Sequence, residues 1–492
     1  MNNDKASYRQ MMKATSLFGG VQVFGIVITI IRTKVIAVLL GPTGMGIAGL
    51  LNATIGLIAG LADFGLGTSA IRDIAAAHGT GNEKRVSTVV TVFRRWIWIT
   101  GVLGTVVTLI LSPWLSQFTF GNRKYTFAFI WLSITLLLGQ ISSGQSVLLR
   151  GMRKIKDLAQ AGMIGSILGL FTTLPLYYFF GLNGIVPGII VTSITSLLLT
   201  WHYAHKIKIE PIYVSKARTV AEGKGMLKMG FMLSLNGLIT TGTSYLFRTY
   251  LSRYGGLDQV GLYNAGFAMI NTYVGLIFTA MSTDYYPRLS AISHSNTLCK
   301  EAMNQQAEIA ILIMAPIIMA FLVFIRWVVI ILYSSKFIAV NDMILWAALG
   351  MLFKAASWAI GFILLAKGAS KLFFLNELIG NAYVLGLNVA GYYWMGLAGL
   401  GISFLVGYII YLVQVYVLSK IKYDFSFDVA FIRIFVIQSV IAVSCFLTVK
   451  LLPTHWAYGV GCVLIVVSGW YSLKELDKRM DIRMIVNKLR KK

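Results

Sequence analysis

The sequence predicts an all-α, polytopic membrane protein with fourteen transmembrane helices, arranged as two six-helix parallel repeats followed by two C-terminal helices. Of the 492 residues, 57% are hydrophobic and only 12% are charged, whereas a soluble domain carries roughly 25% charged residues. The excess apolar surface needs a solvent other than water, and about 20 apolar residues are enough for a helix to cross a bilayer. The apolar windows are too long and continuous to be the alternating strands of a membrane barrel.

Fourteen apolar windows are long enough to span a membrane, and we number them as predicted spans 1–14. They lie near residues 15–40, 43–66, 96–117, 125–149, 158–181, 184–204, 229–252, 259–283, 305–332, 340–366, 371–393, 396–418, 429–451 and 456–473. The second window is rich in glycine. Together they account for most of the apolar excess of the chain.

Basic residues predict the orientation of these spans. With the N-terminus placed in the cytoplasm, 32 of the 43 lysines and arginines fall in inward-facing segments and 5 in outward-facing segments. Cytoplasmic loops of membrane proteins carry such an excess, and one missed span would invert every later loop. We therefore expect both termini in the cytoplasm. The net charge of +25 lies in short clusters between apolar runs, which argues against a nucleic-acid partner.

An internal repeat appears when the chain is aligned with itself at an offset of about 215 residues. Tyr177–Gly184 then matches Tyr392–Gly399, and Gly46 falls on Gly261. Because six is an even number of spans, both copies enter the membrane from the same side, and a parallel repeat of this kind places a substrate site between its halves. The predicted regions are an N-terminal lobe (1–204), a cytoplasmic linker (205–228), a C-terminal lobe (229–422), spans 13 and 14 (423–475) and a basic cytoplasmic tail (476–492).

Three segments make the chain resemble a known family. They are Leu39–Gly46 after predicted span 1, Asp63–Arg72 after span 2, and Tyr392–Gly401 before span 12. With the helix arrangement, they resemble the polysaccharide-export flippases of the multidrug, oligosaccharidyl-lipid and polysaccharide exporter superfamily, over about residues 10–475. The resemblance implies an inner-membrane carrier that moves an isoprenoid-pyrophosphate-linked oligosaccharide to the outer leaflet.

Three basic residues inside predicted spans are candidates for substrate binding. Lys354 lies near the middle of its window, about 18 Å from either end at 1.5 Å per residue, so its side chain cannot reach water at the interface. We expect it to face a wet cavity or a partner. Arg32 and Arg248 lie 216 residues apart at matching places in spans 1 and 7, which the resemblance places opposite each other. Two guanidinium groups across a cleft suit a diphosphate, although either arginine could instead reach the interface.

Three acidic residues are candidates for ion coupling. Asp63 ends span 2, Glu308 begins span 9, and Glu377 lies one to two turns into span 11. Carboxylates near the bilayer can carry a proton or hold a cation. The alternative is a simple ion pair with a nearby basic residue, which we favour for Asp63 and Glu308 and leave open for Glu377. We expect no cofactor apart from such a coupling ion, H⁺ or Na⁺.

The remaining patterns do not indicate catalysis. The five histidines have no metal-ligand spacing, and Gly44-x-Gly46-x-x-Gly49 lacks the preceding strand of a dinucleotide site. No nucleophile and base can be paired, so we predict that the protein has no catalytic residues and is not an enzyme. A membrane glycosyl-polymerase is further disfavoured because every outward loop is short, and the repeat argues modestly against a non-transporting scaffold.

The favoured hypothesis is therefore a flippase for lipid-linked oligosaccharide repeat units in O-antigen, capsule or exopolysaccharide synthesis. Its partners would be that substrate, the membrane lipids and a polysaccharide polymerase or chain-length machinery. The alternative is an ion-coupled multidrug exporter of the same superfamily. Such an exporter needs buried carboxylates, whereas the deepest predicted charges here are basic.

Overall fold

The part of the chain that the structure describes is almost entirely helical, with short non-helical connections. The computed structural model describes the backbone of residues 2–480 and the side chains of residues 24–479 other than 272, 273, 276, 280 and 283. The helices are α1 (Asn2–Asp63), α2 (Leu66–Gly79), α3 (Glu83–Phe120), α4 (Thr126–Gly151), α5 (Ile155–Phe180), α6 (Ile185–His205), α7 (Lys216–Tyr254), α8 (Leu257–Ala268), α9 (Leu276–Ala291), α10 (Asn296–Leu332), α11 (Asn341–Ala366), α12 (Ser370–Tyr423), α13 (Val429–Leu451) and α14 (Thr454–Met480). Most of the predicted basic tail, residues 481–492, lies outside the described residues.

The described chain contains nine helical segments that are long and apolar enough to cross a membrane, and it contains no strand. The predicted all-α membrane fold is thus confirmed, while the count of fourteen spans stays a prediction. Three of the nine segments have 40, 51 and 54 residues, about twice the length that one crossing needs. Each of these three is interrupted by a glycine with positive φ: Gly41, Gly181 and Gly396.

These interruptions follow from conformations that only glycine adopts easily. Gly41 has φ 64° and ψ −168°, and Gly396 has φ 58° and ψ −139°. A Cβ atom would clash with the backbone in this region. Pro42 then restarts the helix after Gly41, at a position where its missing N–H costs nothing. Glycine at these points therefore divides α1 and α12 into two helical halves each.

The backbone confirms the internal repeat. Positive φ angles recur at an offset of 215 residues, in the pairs Gly41 and Gly256, Arg153 and Gly368, and Gly181 and Gly396. α4 and α11 also end in the same way. Each has its own set of three backbone hydrogen bonds, of the kind that closes a helix at a left-handed residue. From amide to carbonyl, these bonds are Met152–Leu148, Arg153–Arg150 and Lys154–Leu149 in α4, and Lys367–Ile363, Gly368–Leu365 and Ala369–Leu364 in α11.

The second half of α1 and α8 begin at equivalent positions of the repeat, and these two helix starts contact each other directly. A Cβ atom on Gly46 would lie 2.0 Å from the carbonyl oxygen of Leu257, and one on Gly261 would lie 1.9 Å from that of Pro42. Pro42 and Leu257 are also equivalent positions of the repeat, so each copy presents the same surface to the other. This reciprocal pattern is that of an isologous contact.

The chain divides into two compact units, Met1–Gly261 and Leu262–Lys492, which we call the first unit and the second unit. The first unit has a core of buried apolar residues from α2, α3 and α4, with Met226 of α7. The second has a core from α9, α10, α11 and α12 that includes Tyr285 and Phe425. The predicted lobes at 1–204 and 229–422 stay a prediction.

The predicted linker over 205–228 is partly helical, because α7 begins at Lys216. The Ser215 hydroxyl accepts a hydrogen bond from the Arg218 amide and caps the helix. Glu222 then pairs with Arg85 of α3 at 2.8 Å and with Arg218 at 3.0 Å. Burial alone would raise the pKa of Glu222, but the hydrogen bonds from the two arginines outweigh it and lower the pKa. The linker is thus fastened to α3 within the first unit.

Candidate functional site

Lys354 lies in the middle of α11, on a side that faces aromatic rings of the second unit. Its ammonium donates a hydrogen bond to Asn271 Oδ1 at 2.9 Å. The centroids of three rings lie within 6 Å of Nζ: Tyr408 at 5.2 Å, Phe404 at 5.7 Å and Phe278 at 5.9 Å. Cation–π contacts of this kind contribute about 0.5–2 kcal/mol, with the larger value for a desolvated cation. The predicted partner of Lys354 is therefore a set of uncharged groups.

These uncharged groups hold Lys354 in place without neutralising it. Among the described side chains, no carboxylate forms an ion pair with Lys354. A positive charge in an apolar span is costly, so such residues are rare and mark substrate or ion pathways. The ammonium retains two further N–H donors. It is therefore able to bind an anionic group.

Asn271 is positioned by a π-helical turn, Met269–Val274, between α8 and α9. The amide of Gly275 closes this turn on the Ile270 carbonyl at 3.2 Å. A Cβ atom at 275 would lie 1.9 Å from the carbonyl oxygen of Asn271, so the wide turn requires glycine there. Single π turns inside α-helices occur frequently at functional sites, and this one presents Asn271 to Lys354.

Glu377 lies at the centre of a second polar cluster, in the first half of α12. Its Oε1 accepts a hydrogen bond from the Tyr411 hydroxyl at 2.6 Å and one from Asn376 Nδ2 at 3.3 Å. Gln414 Nε2 in turn donates to Asn376 Oδ1 at 2.8 Å. All three donors are uncharged, and no lysine or arginine of the described chain forms an ion pair with Glu377.

The structure brings the surroundings of Lys354 and Glu377 together within the second unit. The ring of Tyr408, which contacts Lys354, lies 6.2 Å from the ring of Tyr411, which contacts Glu377. Sequence reasoning missed both tyrosines, although they lie three positions apart in one predicted span and so share one helix face. It also missed Asn271, because nothing in the sequence indicates a π turn.

Arg32 and Arg248 both belong to the first unit, on α1 and α7. Both side chains are half-buried. Contacts that join these two helices involve the second half of α1, where Gly60 faces Leu238 and Leu57 faces Gly242, whereas Arg32 lies on the first half. The pairing of the two arginines across a cleft, and their assembly with Lys354 into one cationic cavity, stay predictions.

Glu308 forms an ion pair with a basic residue, which is the alternative to ion coupling that we favoured for it. Its buried carboxylate lies 2.6 Å from Nε of Arg479 on α14. Arg479 also bonds Glu475 at 2.7 Å. The three side chains join α10 to α14 within the second unit. The charge of the Glu308 carboxylate is therefore balanced by Arg479.

Asp63 lies where α1 ends, beside two residues in left-handed conformation, Phe64 and Gly65. Its carboxylate faces the side-chain amide of Gln140 and the backbone amides of Gly65 and Gly67. Its Oδ1 atom is buried and accepts no hydrogen bond. No arginine or lysine of the described chain forms an ion pair with Asp63, unlike the ion pair we favoured for it.

Two curated flippases resemble this chain in sequence. The lipid III flippases of Escherichia coli (strain K12) and Shigella flexneri are each 22% identical over 393 residues, which is 77% of this chain and 90% of theirs. These curated relatives are flippases and not enzymes, in agreement with the prediction for this chain.

Solved structures share the fold. An inward-facing multidrug resistance MATE family transporter of the MOP superfamily has a TM-score of 0.68 at 16% identity, over 81% of this chain and 94% of that one. The lipid II flippase MurJ in an inward closed conformation also has a TM-score of 0.68, at 14% identity, over 94% of this chain and 99% of that one. These likenesses confirm the predicted all-α membrane fold.

The family itself is shown by a match over most of the chain. The family model described as polysaccharide biosynthesis protein matches residues 35–342. The matched range includes Asp63, Arg248 and Glu308, whereas Lys354 and Glu377 follow it. Together with the lipid III flippases and the MOP-superfamily fold, this match confirms the resemblance seen in the sequence. The chain is a member of the polysaccharide biosynthesis protein family.

Proposed function

We propose that this protein is a flippase that carries an isoprenoid-pyrophosphate-linked oligosaccharide across the bacterial inner membrane. The observation that carries the proposal is the ammonium of Lys354, held in the middle of α11 by an amide and three rings. A diphosphate is a multivalent anion that a cation of this kind binds strongly when both are removed from bulk water. The lipid III flippases that resemble the chain support the same class of substrate.

In this proposal the repeat supplies alternating access. Repeat halves in transporters rock against each other around a central substrate site. Arg32, Arg248 and Lys354 would bind the pyrophosphate while the isoprenoid chain stays in lipid, and both termini would lie in the cytoplasm. The product would enter O-antigen, capsule or exopolysaccharide synthesis, where a polymerase or chain-length machinery is the expected partner.

Loss of the gene tests this function against that of a multidrug exporter, which the MATE neighbour keeps open as an alternative. We expect a deletion strain to lose its surface glycan, because the lipid-linked unit no longer reaches the outer leaflet, and to keep normal sensitivity to cationic drugs. Glycan is measured by staining of extracted polysaccharide, and sensitivity by growth. A strain with normal glycan and increased drug sensitivity would support the exporter instead.

We further propose that Glu377 holds the coupling ion, H⁺ or Na⁺. The support is the contrast with Glu308, whose carboxylate is paired with Arg479, whereas the donors to Glu377 are uncharged. A carboxylate with only neutral partners is free to take up a cation or a proton. Its link through Tyr411 and Tyr408 to the surroundings of Lys354 provides a route by which ion and substrate affect each other.

Replacing Glu377 with glutamine should remove the dependence of transport on an ion gradient. We expect transport in proteoliposomes to fall to the rate seen without a gradient, because glutamine neither titrates nor attracts Na⁺. The measurement is transport with an imposed pH or Na⁺ gradient. Glu301→Gln, at an exposed position of α10, is the control. A Glu377→Gln protein that still responds fully to either gradient would refute the assignment.

A further inference from the structure

We propose that a groove between α4 and α6 holds sugar rings of the substrate, an inference that rests on the proposed function and adds a second site to it. The groove has a volume of about 450 Å³ and lies within the first unit. Hydroxyl groups line it from both helices. They belong to Ser142, Ser143, Ser146, Thr192, Ser193 and Ser196.

The groove is built by one face of each helix. On α4 its lining residues follow each other at three- and four-residue spacing, which places them along a single stripe. Ser142 joins the two walls, since its Oγ lies 2.9 Å from that of Ser196 and 3.1 Å from Oγ1 of Thr200. Gly139 lies beside this stripe and adds no side chain. The two helices therefore touch at Ser142 and Ser196, and the groove opens beside this contact.

Three of the six hydroxyls already use their hydrogen on a backbone carbonyl. Ser146 donates to the Ser142 carbonyl at 3.1 Å, Thr192 to the Gly188 carbonyl at 2.8 Å and Ser193 to the Ile189 carbonyl at 3.0 Å. A hydroxyl that donates in this way keeps lone pairs that can only accept. The groove thus presents acceptors to its contents. Along these hydroxyls it fits a ligand rich in O–H and N–H donors, whereas Arg150, which also lines the groove, supplies donors to an anionic group at one end.

Sugar rings meet this requirement, and lipid tails do not. Each saccharide unit carries several hydroxyls that donate to these lone pairs, whereas an acyl chain has no donor to offer them and no anionic group for Arg150. Water can fill the groove between transport events. Arg150 stands at the end of the groove that is predicted to be cytoplasmic, and its guanidinium attracts the anionic headgroup toward the entrance.

Cysteine protection tests the groove without relying on export. Ser143 is exposed, and Cys462 is the exposed native cysteine of the described chain. Ser143→Cys is therefore made with Cys462→Ala, reconstituted in nanodiscs and labelled with sulfonatoethyl methanethiosulfonate, which reacts in water. Geranyl diphosphate bearing one N-acetylglucosamine should slow labelling by about tenfold when it saturates the site, and sugar-free geranyl diphosphate should not. Ser370→Cys, at the exposed start of α12, is the control thiol whose rate neither probe changes.

Three results would overturn the inference. Absence of labelling without any probe would mean that lipid fills the groove, and equal protection by sugar-free geranyl diphosphate would mean that the sugar is not recognised. In cells, Ser143→Trp fills the groove and should reduce glycan export by about tenfold or more, while Leu168→Trp at an exposed position of α5 should not. Normal export by Ser143→Trp would reject the groove but leave the flippase function standing. Sugar-dependent protection in a protein whose deletion leaves surface glycan unchanged would reject the function but not the groove.

Discussion

Replacing Lys354 with methionine should reduce export of surface glycan by about tenfold to a hundredfold, because a hydrogen bond to a charged group contributes about 1.5–3 kcal/mol and each 1.4 kcal/mol is tenfold. Methionine has a similar length and fills the same space among the rings of Phe278, Phe404 and Tyr408. It also removes the cost of about 2.5–3.5 kcal/mol of a charge inside a span. The variant should therefore be at least as stable as the parent protein while it loses export.

This opposite movement of stability and export distinguishes a binding role from a structural one. Export is measured as extracted surface glycan, and stability as the Tm of the purified protein in detergent. Lys354→Arg, which keeps the charge, should retain more export than Lys354→Met. Arg326→Met, which removes an exposed charge from α10, is the matched control and should leave glycan unchanged. Normal export by Lys354→Met would remove the main support for an anion site in α11.

Alanine at Gly46 or Gly261 should destabilise the protein by about 1–3 kcal/mol or more, as overpacking of a close contact does. The new methyl group at 46 would lie 2.0 Å from the Leu257 carbonyl oxygen, and that at 261 would lie 1.9 Å from the Pro42 carbonyl oxygen. A backbone carbonyl cannot rotate away as a side chain does. The two helix starts must then separate, and the nearby hydrogen bond from Thr43 to Asp258 should weaken with them.

Two other glycines provide matched controls for this prediction. A Cβ atom on Gly56 of α1 or on Gly237 of α7 would meet no atom within 4 Å. Alanine at these helical positions should stabilise the protein by up to about 1 kcal/mol, since it has the higher helix propensity. Thermal unfolding of the four single variants in one detergent checks both signs. Equal Tm values for Gly46→Ala and Gly56→Ala would contradict the close contact.

The repeat was predictable because equivalent positions in the two copies carry the same residue where the backbone geometry requires it. Gly181 and Gly396 were matched in the sequence by the aromatic segments before them, and both have positive φ. The membrane class followed equally directly from the apolar windows. Arg153 and Gly368 occupy the same left-handed position in the two copies but are different residues, so this equivalence was visible only in the backbone.

The candidate site was less predictable, because its contacts join residues that are distant in the sequence. The position of Lys354 in its window indicated that it needed a partner, but Asn271 is 83 residues away and becomes available through a π turn. The ion pair of Glu308 depends on Arg479, 171 residues later. Hydrogen-bond partners at such separations depend on how helices pack, which periodicity within one window does not determine.

The reciprocal glycine contact also limits where anything can cross the membrane. At Gly46 and Gly261 the two backbones touch without a side chain between them, and a gap of that width admits neither water nor an acyl chain. Under the proposed function, the substrate must therefore pass to one side of this crossing. If one helix start tilts relative to the other, the contact between Gly46 and Gly261 acts as the pivot. The largest displacements then occur at the helix ends farthest from it.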